Sequence, residues 1–309
     1  MACKGLWISI VFHRRYTVLS FLIIFYPIII RMRKTLSFSC VLVLCNSLYA
    51  QTVRTPSSMR YTGIGTYSRH FVDAFAITGN QASLCNLKTV QAGLYTENRF
   101  SLQELNLVSG VIGLPLKNSG IGITVNRFGS GDYKEMQAGL AYGKKLGDKV
   151  DIGVQFNYNT INITGYDGAS TLNIEVGSIW HFTEKLHGGI HLYNPSGSKY
   201  GKTVFQKIPA IYKMGFGYEN GNRFLVSMEI AKEEGQPVNV NTGVHYAFHE
   251  NFFMRFGIAT GANNSFAGVG LKWKVCRLDL SFSYHPQLGF TRGLSLLFLF
   301  RQQPAKEEE

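Results

Sequence analysis

From Arg277 to Tyr284 the chain reads Arg-Leu-Asp-Leu-Ser-Phe-Ser-Tyr, with an apolar residue at every even position and a charged or small polar one at every odd position. Period two is the mark of an extended strand with one apolar and one polar face. The same alternation recurs far upstream. Val150, Ile152, Val154, Phe156 and Tyr158 stand against Asp151, Gly153, Gln155, Asn157 and Asn159. Phe224, Val226, Met228 and Ile230 stand against Leu225, Ser227 and Glu229, and Val269, Leu271, Trp273 and Val275 against Gly268, Gly270, Lys272 and Lys274. A chain that repeats one two-faced strand this often must bury one face of a large sheet. The spacing predicts strands at 88–97, 102–114, 119–129, 133–145, 149–162, 170–182, 186–193, 209–219, 223–232, 238–248, 252–259, 265–275, 277–286 and 290–300.

Composition decides which face is turned outward. Only 16% of the 309 residues are charged, 13% are aromatic and 33 are glycine. A soluble sandwich carries more charge than this. A closed barrel in a bilayer has an apolar outside and a polar inside, with strands of ~9–11 residues that cross at a tilt. After Ala50 no stretch approaches the ~20 apolar residues of a spanning helix. The expected fold is therefore all-β, a transmembrane antiparallel β-barrel of about fourteen strands.

Connection lengths point the same way. The even-numbered connections are tight: Leu116–Asn118, Leu146–Lys149, Thr183–Lys185, Asn220–Asn222, His249–Asn251 and the reversal at Cys276. The long ones, Ile163–Ala169 and Asn194–Ile208, are odd-numbered. Membrane barrels have short periplasmic turns and long external loops, so both chain ends are expected on the periplasmic side.

The N-terminal region reads as an address. Arg31–Lys34, the apolar run Leu36–Leu44 and Asn46–Ala50 make an n-region, an h-region and a cleavage site after Ala50. Residues 32–50 are the expected signal peptide, and 1–31 an upstream extension before the natural start at Met32. Six basic residues and no acid precede Gln51, so their removal lowers the formal charge from +12 to +6. The remaining Lys and Arg are dispersed, which excludes a nucleic-acid surface. Residues 51–87 do not alternate. They are expected to form a plug or hatch in the barrel mouth, with a short helix near His70–Ile77, ahead of a barrel over 88–300 and a charged tail over 301–309.

Inward charges follow from energetics, because Arg or Lys facing lipid costs ~2–4 kcal/mol at the midplane. Glu175, Lys213, Glu229, Arg255, Lys272 and Asp279 are thus predicted to point into the lumen, either pairing with one another or setting selectivity and docking the plug. Glycines 139, 143, 153, 177, 215, 217, 257, 268 and 270 fall on the same face, where they either admit the plug or a ligand or relieve crowding. Cys85 and Cys276 are expected as separate buried thiols, since two cysteines make no framework, with a disulfide between them as the alternative in an oxidising periplasm. Gly197–Thr203 is one residue short of a phosphate-binding loop and has no helix behind it. His187 and His191 would lie ~13 Å apart on a strand, too far to chelate one ion. No catalytic set, metal site or cofactor motif is present. The chain is not expected to be an enzyme.

Three stretches carry a family resemblance. The last strand, with Gly293 followed by Leu296, Phe298 and Phe300, resembles the terminal signal by which the barrel-assembly machinery recognises outer-membrane barrels. Asp73–Leu84 contains Asn80-Gln81-Ala82 and resembles the hatch motif of the PorV/PorQ-like barrels of Bacteroidetes, which are similar to the FadL family of hydrophobe transporters. Ala92–Phe100 resembles the first-strand motif of the same group. The chain departs from the hatch pattern at Gly79 and Ser83. The resemblance implies an outer-membrane barrel whose hatch, or ligand gate, includes Asp73, Asn80, Gln81 and Ala82, with outer-membrane lipid around it. It implies either a role beside type IX secretion components, or passage of a hydrophobic ligand past the hatch and out through the wall. A structural barrel without transport is the third reading.

Overall fold

The computed structural model describes residues 66–201, 206–261 and 264–300. The signal peptide, the upstream extension, the first part of the hatch region and the charged tail lie outside the described residues.

Fourteen antiparallel strands close into one barrel. In chain order they are β1 (Val90–Asn98), β2 (Asn106–Leu116), β3 (Ser119–Phe128), β4 (Tyr133–Leu146), β5 (Val150–Ile163), β6 (Ala169–His181) and β7 (Leu186–Tyr193). After a small ribbon, β8 (Lys199–Tyr200) with β9 (Gln206–Lys207), the wall resumes. It continues with β10 (Ile211–Asn220), β11 (Phe224–Glu233), β12 (Val238–His249), β13 (Phe252–Ala259), β14 (Asn264–Trp273), β15 (Cys276–His285) and β16 (Gly289–Phe300). Each strand pairs with the next, β7 pairs with β10, and β1 closes on β16 from Val90↔Phe300 to Asn98↔Arg292. Closure removes every sheet edge, which a bilayer requires because it offers no water to unpaired amides.

The alternation sorts the faces as the sequence demands. Leu94, Leu140, Phe156, Leu172, Phe216 and Phe256 point outward and are each more than half exposed. An apolar belt this continuous faces lipid, not water. The terminal-strand residues Leu296, Phe298 and Phe300 belong to it, while Gly293 turns inward beneath Ser281 and Tyr95. The outward charges Arg127, Lys134, Lys144, Lys232 and Arg292 all stand near strand ends, where long basic side chains reach the headgroup level.

One expected strand start is corrected. Residues 102–105 are not part of a strand. Phe100 and Ser101 take φ of 54° and 60°, Gln103–Leu105 forms a 3₁₀ turn, and β2 begins only at Asn106. The hatch also differs from the expected helix. It is two short 3₁₀ helices, Ala74–Thr78 and Gln81–Asn86, each started by an Asx cap: Asp73 accepts from the Phe75 amide and Asn80 from the Ala82 amide.

Candidate functional site

The hatch lies inside the barrel, toward the rim of the short turns. It fits because the inner wall there is glycine. A Cβ at Gly93 would meet the Phe75 ring at 2.7 Å, at Gly113 Leu87 at 2.8 Å, at Gly122 Ile77 at 2.7 Å and at Gly143 the Gln81 carbonyl at 2.6 Å. Gly153 faces the Gln81–Ala82 backbone, Gly177 the Asn80 side chain, and Gly215 and Gly217 face Tyr67. Not every inward glycine serves the hatch. Gly257 and Gly270 make room for the Phe266 and Phe253 rings, and Gly139 for Gln155 and Asn157. Both readings of the glycine pattern hold, at different positions. Phe75, Ile77, Leu84 and Leu87 pack with Tyr95, Leu107, Val111 and Leu297 into one apolar core between hatch and wall.

The hatch is also pinned by polar contacts. Asn80 donates from Nδ2 to the carbonyls of Ile190 (2.9 Å) and Ser178 (3.3 Å). Gln81 donates to Glu175 Oε2 (2.7 Å) and Gln155 Oε1 (3.2 Å). Ala82 is wholly buried between them. Asp73 Oδ2 accepts from Arg277 Nη2 at 2.6 Å. Arg277 also donates to Asp279 (2.9 Å), which takes Arg255 (3.3 Å) and Ser295 (3.0 Å). Among the predicted lumen residues, Glu229 accepts from the Tyr67 hydroxyl (3.0 Å), and burial, reinforced by Glu229, holds that phenol protonated well above its ordinary range. Lys272 is corrected in part: it shares the inward parity of Gly268 and Gly270 but stands exposed at the short-turn rim and joins no cluster. Cys85 and Cys276 are both free thiols, and burial, then Asp151, pushes the Cys85 thiol up.

Sequence reasoning missed a buried polar chain. His187 and His191 are buried. His181 Nε2 meets Asp151 Oδ2 at 2.9 Å, His187 Nε2 meets Glu219 Oε1 at 2.8 Å, and the two Nδ1 atoms meet at 2.8 Å. The two rings thus stand in series between two carboxylates. Glu219 in turn holds the hatch through Ser68 Oγ and His70 Nδ1 (2.8 Å). Asp151 takes Asn86 at 2.6 Å. The chain of contacts thus ties both ends of the described hatch to one wall.

A second apolar layer lies above the hatch. Tyr200 and Ile208, described residues of the connection between β7 and β10, form a cap by packing against Ile161, Tyr193 and Ile211. Asn194 fixes this cap by donating to the Ile208 carbonyl at 2.7 Å. Lys207 pairs with Glu234 on the neighbouring loop and lowers its carboxyl. Between cap and hatch lies a cavity of about 80 Å³, lined by Thr78, Gln137, Glu175, His191, Tyr193 and Lys213 among others. On the outer face a separate shallow groove lies over Ala267, between Phe256 and Phe282.

No family model and no curated protein matches this sequence. Solved structures do match. A Pseudomonas aeruginosa FadL homologue superposes with a TM-score of 0.61 at 11% identity, over 82% of this chain and 99% of that one. The fold is that of the FadL-type barrels. The CymD monoaromatic hydrocarbon channel matches at 0.56 and 13%, over 80% and 97%, and the Pseudomonas putida toluene transporter TodX at 0.55 and 11%, over 78% and 98%. At such identities the likeness is one of fold. The PorV/PorQ resemblance rests on the hatch and first-strand motifs of the sequence alone.

Proposed function

We propose that the chain is an outer-membrane barrel that passes a small molecule across the membrane, with the hatch as its gate, in the manner of the FadL-type transporters. The short-turn rim and both ends of the sheet are then periplasmic, and the cap is external. The observation that carries this reading is the hatch itself, seated on glycines from β1 to β7 and β10 in a fold shared with hydrocarbon channels. A wall needed only for support gains nothing from giving up inward side chains on eight strands. The ladder of pairings between neighbouring strands is unbroken along the wall apart from an irregularity at Ala247/His249, so a sideways exit requires movement.

The test is permeation. The purified barrel in liposomes should admit small solutes faster than empty vesicles, and a Gly177→Leu variant that displaces Asn80 should change that rate. Permeation equal to that of empty vesicles for every solute tried contradicts the reading. The PorV/PorQ reading keeps its two sequence supports, the Asn80-Gln81-Ala82 hatch motif and the Ala92–Phe100 first-strand motif; co-purification of a type IX secretion subunit would favour it.

A further inference from the structure

The outer wall carries its charge unevenly. Five charged side chains stand on the outward face of the described barrel strands: Arg127, Lys134, Lys144, Lys232 and Arg292. All five are basic, and no acid of these strands shares that face. Lys144 lies near the short turns, and the other four lie near the opposite ends of their strands. Reaching the headgroup level explains why a long side chain stands there, but not why its sign is always positive. A rim of one sign is matched by lipid of the other.

Two of the four form a pair. Arg127 opposes Met136 in the β3–β4 ladder, so Lys134 is its diagonal neighbour. Diagonal residues of an antiparallel pair lie ~7–8 Å apart, close enough for two long side chains to converge on one group. Both are exposed, and no ion pair among the described residues involves either. Asp132, two residues before Lys134 at the rim, pairs with neither. The arginine supplies a fork that fits phosphate oxygens, and the lysine a point charge.

Below the pair the wall is apolar from β2 to β6, with Val108, Val125, Met136, Leu140, Phe156 and Leu172 all exposed. Gly110 and Ala138 flank Val125 across the ladders, so the surface under the pair is low in relief. Four strand spacings make this face about 19 Å wide, room for several acyl chains side by side.

We propose that Arg127 and Lys134 bind a phosphate of an outer-leaflet glycolipid, a phosphorylated sugar whose several acyl chains lie along β2 to β6. The site goes beyond the permeation reading and rests only on its orientation, with the short turns periplasmic. A phosphate monoester carries nearly two negative charges and so matches both cations. The diester of a two-chain phospholipid carries one, and its chains cover only part of the face.

The test is native mass spectrometry of the folded full-length barrel in mild detergent. The probes are bisphosphorylated lipid A, the same glycolipid without phosphate, and phosphatidylglycerol. Lipid A should bind saturably and more tightly than the other two. Arg127→Gln combined with Lys134→Gln should weaken it on the order of thirtyfold, about 2 kcal/mol for two charges at a lipid surface. Lys144→Gln, at the other end of β4, should leave it unchanged. Heat-modified gel mobility checks that each variant folds. Lipid A bound equally by the double variant, no lipid A on a folded wild-type barrel, either other probe bound as tightly, or an equal loss in Lys144→Gln overturns the site. Liposome permeation keeps the two readings apart. Solutes passed without lipid A binding leaves transport and removes the site; lipid A bound with no solute passed does the reverse.

Discussion

The Asp73–Arg277 pair should decide whether the hatch stays docked. Both groups are buried, with side chains 1% and 7% exposed, and their contact spans 2.6 Å between hatch and β15. Asp73→Asn keeps an oxygen to cap the Phe75 amide but removes the charge that meets Arg277. Breaking a buried pair from one side costs ~3–5 kcal/mol. The lower end applies, because Arg277 retains Asp279 at 2.9 Å. About 3 kcal/mol corresponds to on the order of a hundredfold in the hatch-opening equilibrium. Hydrogen exchange followed by mass spectrometry should read this as faster exchange of 74–87 by that factor, with β1 to β16 unchanged. Asp73→Asn combined with Arg277→Met removes both charges and leaves Arg255 with Asp279, so the double variant should exchange more slowly than Asp73→Asn alone. Hatch amides at the wild-type rate in Asp73→Asn, or a double variant whose effect is the sum of the singles, would refute the reasoning.

Other outcomes follow from the same contacts. Gly177→Val should expel Asn80 and raise hatch exchange, whereas Gly110→Ala, whose added Cβ has only Leu94 at 3.8 Å, should leave the melting point in place. Glu219→Ala removes the acceptor of His187, Ser68 and His70 at once, and should cost several kcal/mol at ~1–3 per stranded buried group, seen as a lower urea midpoint. Cys85 should resist a thiol reagent in the folded barrel and react fully in denaturant, with both Cys85 and Cys276 found unpaired by mass. Leu140→Arg, on the lipid face, should destabilise folding into vesicles by ~2–4 kcal/mol, measured by urea titration.

The barrel was legible because its rule is local. Alternation at Val150–Tyr158 or Arg277–Tyr284 needs no partner to be recognised, and turn length sets where each strand ends. The start of β2 was not, because Phe100 and Ser101 adopt left-handed backbone that no alternation reveals. The hatch contacts were half legible. Inward glycines announce that something approaches, but whether a hatch backbone or a neighbour's ring fills the space depends on the three-dimensional fold, as Gly177 and Gly270 show. The histidine chain was hidden by separation. Asp151 lies thirty residues from His181, and His187 thirty-two from Glu219, joined only once the registers of β5–β6, β6–β7 and β7–β10 are set. Inward parity at all four positions was the one available signal. The cap was hidden likewise: Tyr200 and Ile208 sit in a stretch whose length suggested an outward loop.

The central claim is that one face of every strand meets lipid while the other meets hatch and lumen. Spin labels placed singly along β5, from Ile152 to Thr160, test it directly through collision with oxygen and with a water-soluble nickel complex. Oxygen access should peak at 152, 154, 156 and 158 and fall at 153, 155, 157 and 159, with nickel low at the even sites. A profile without period two, or nickel access at Phe156 as high as at the loops, would contradict the account.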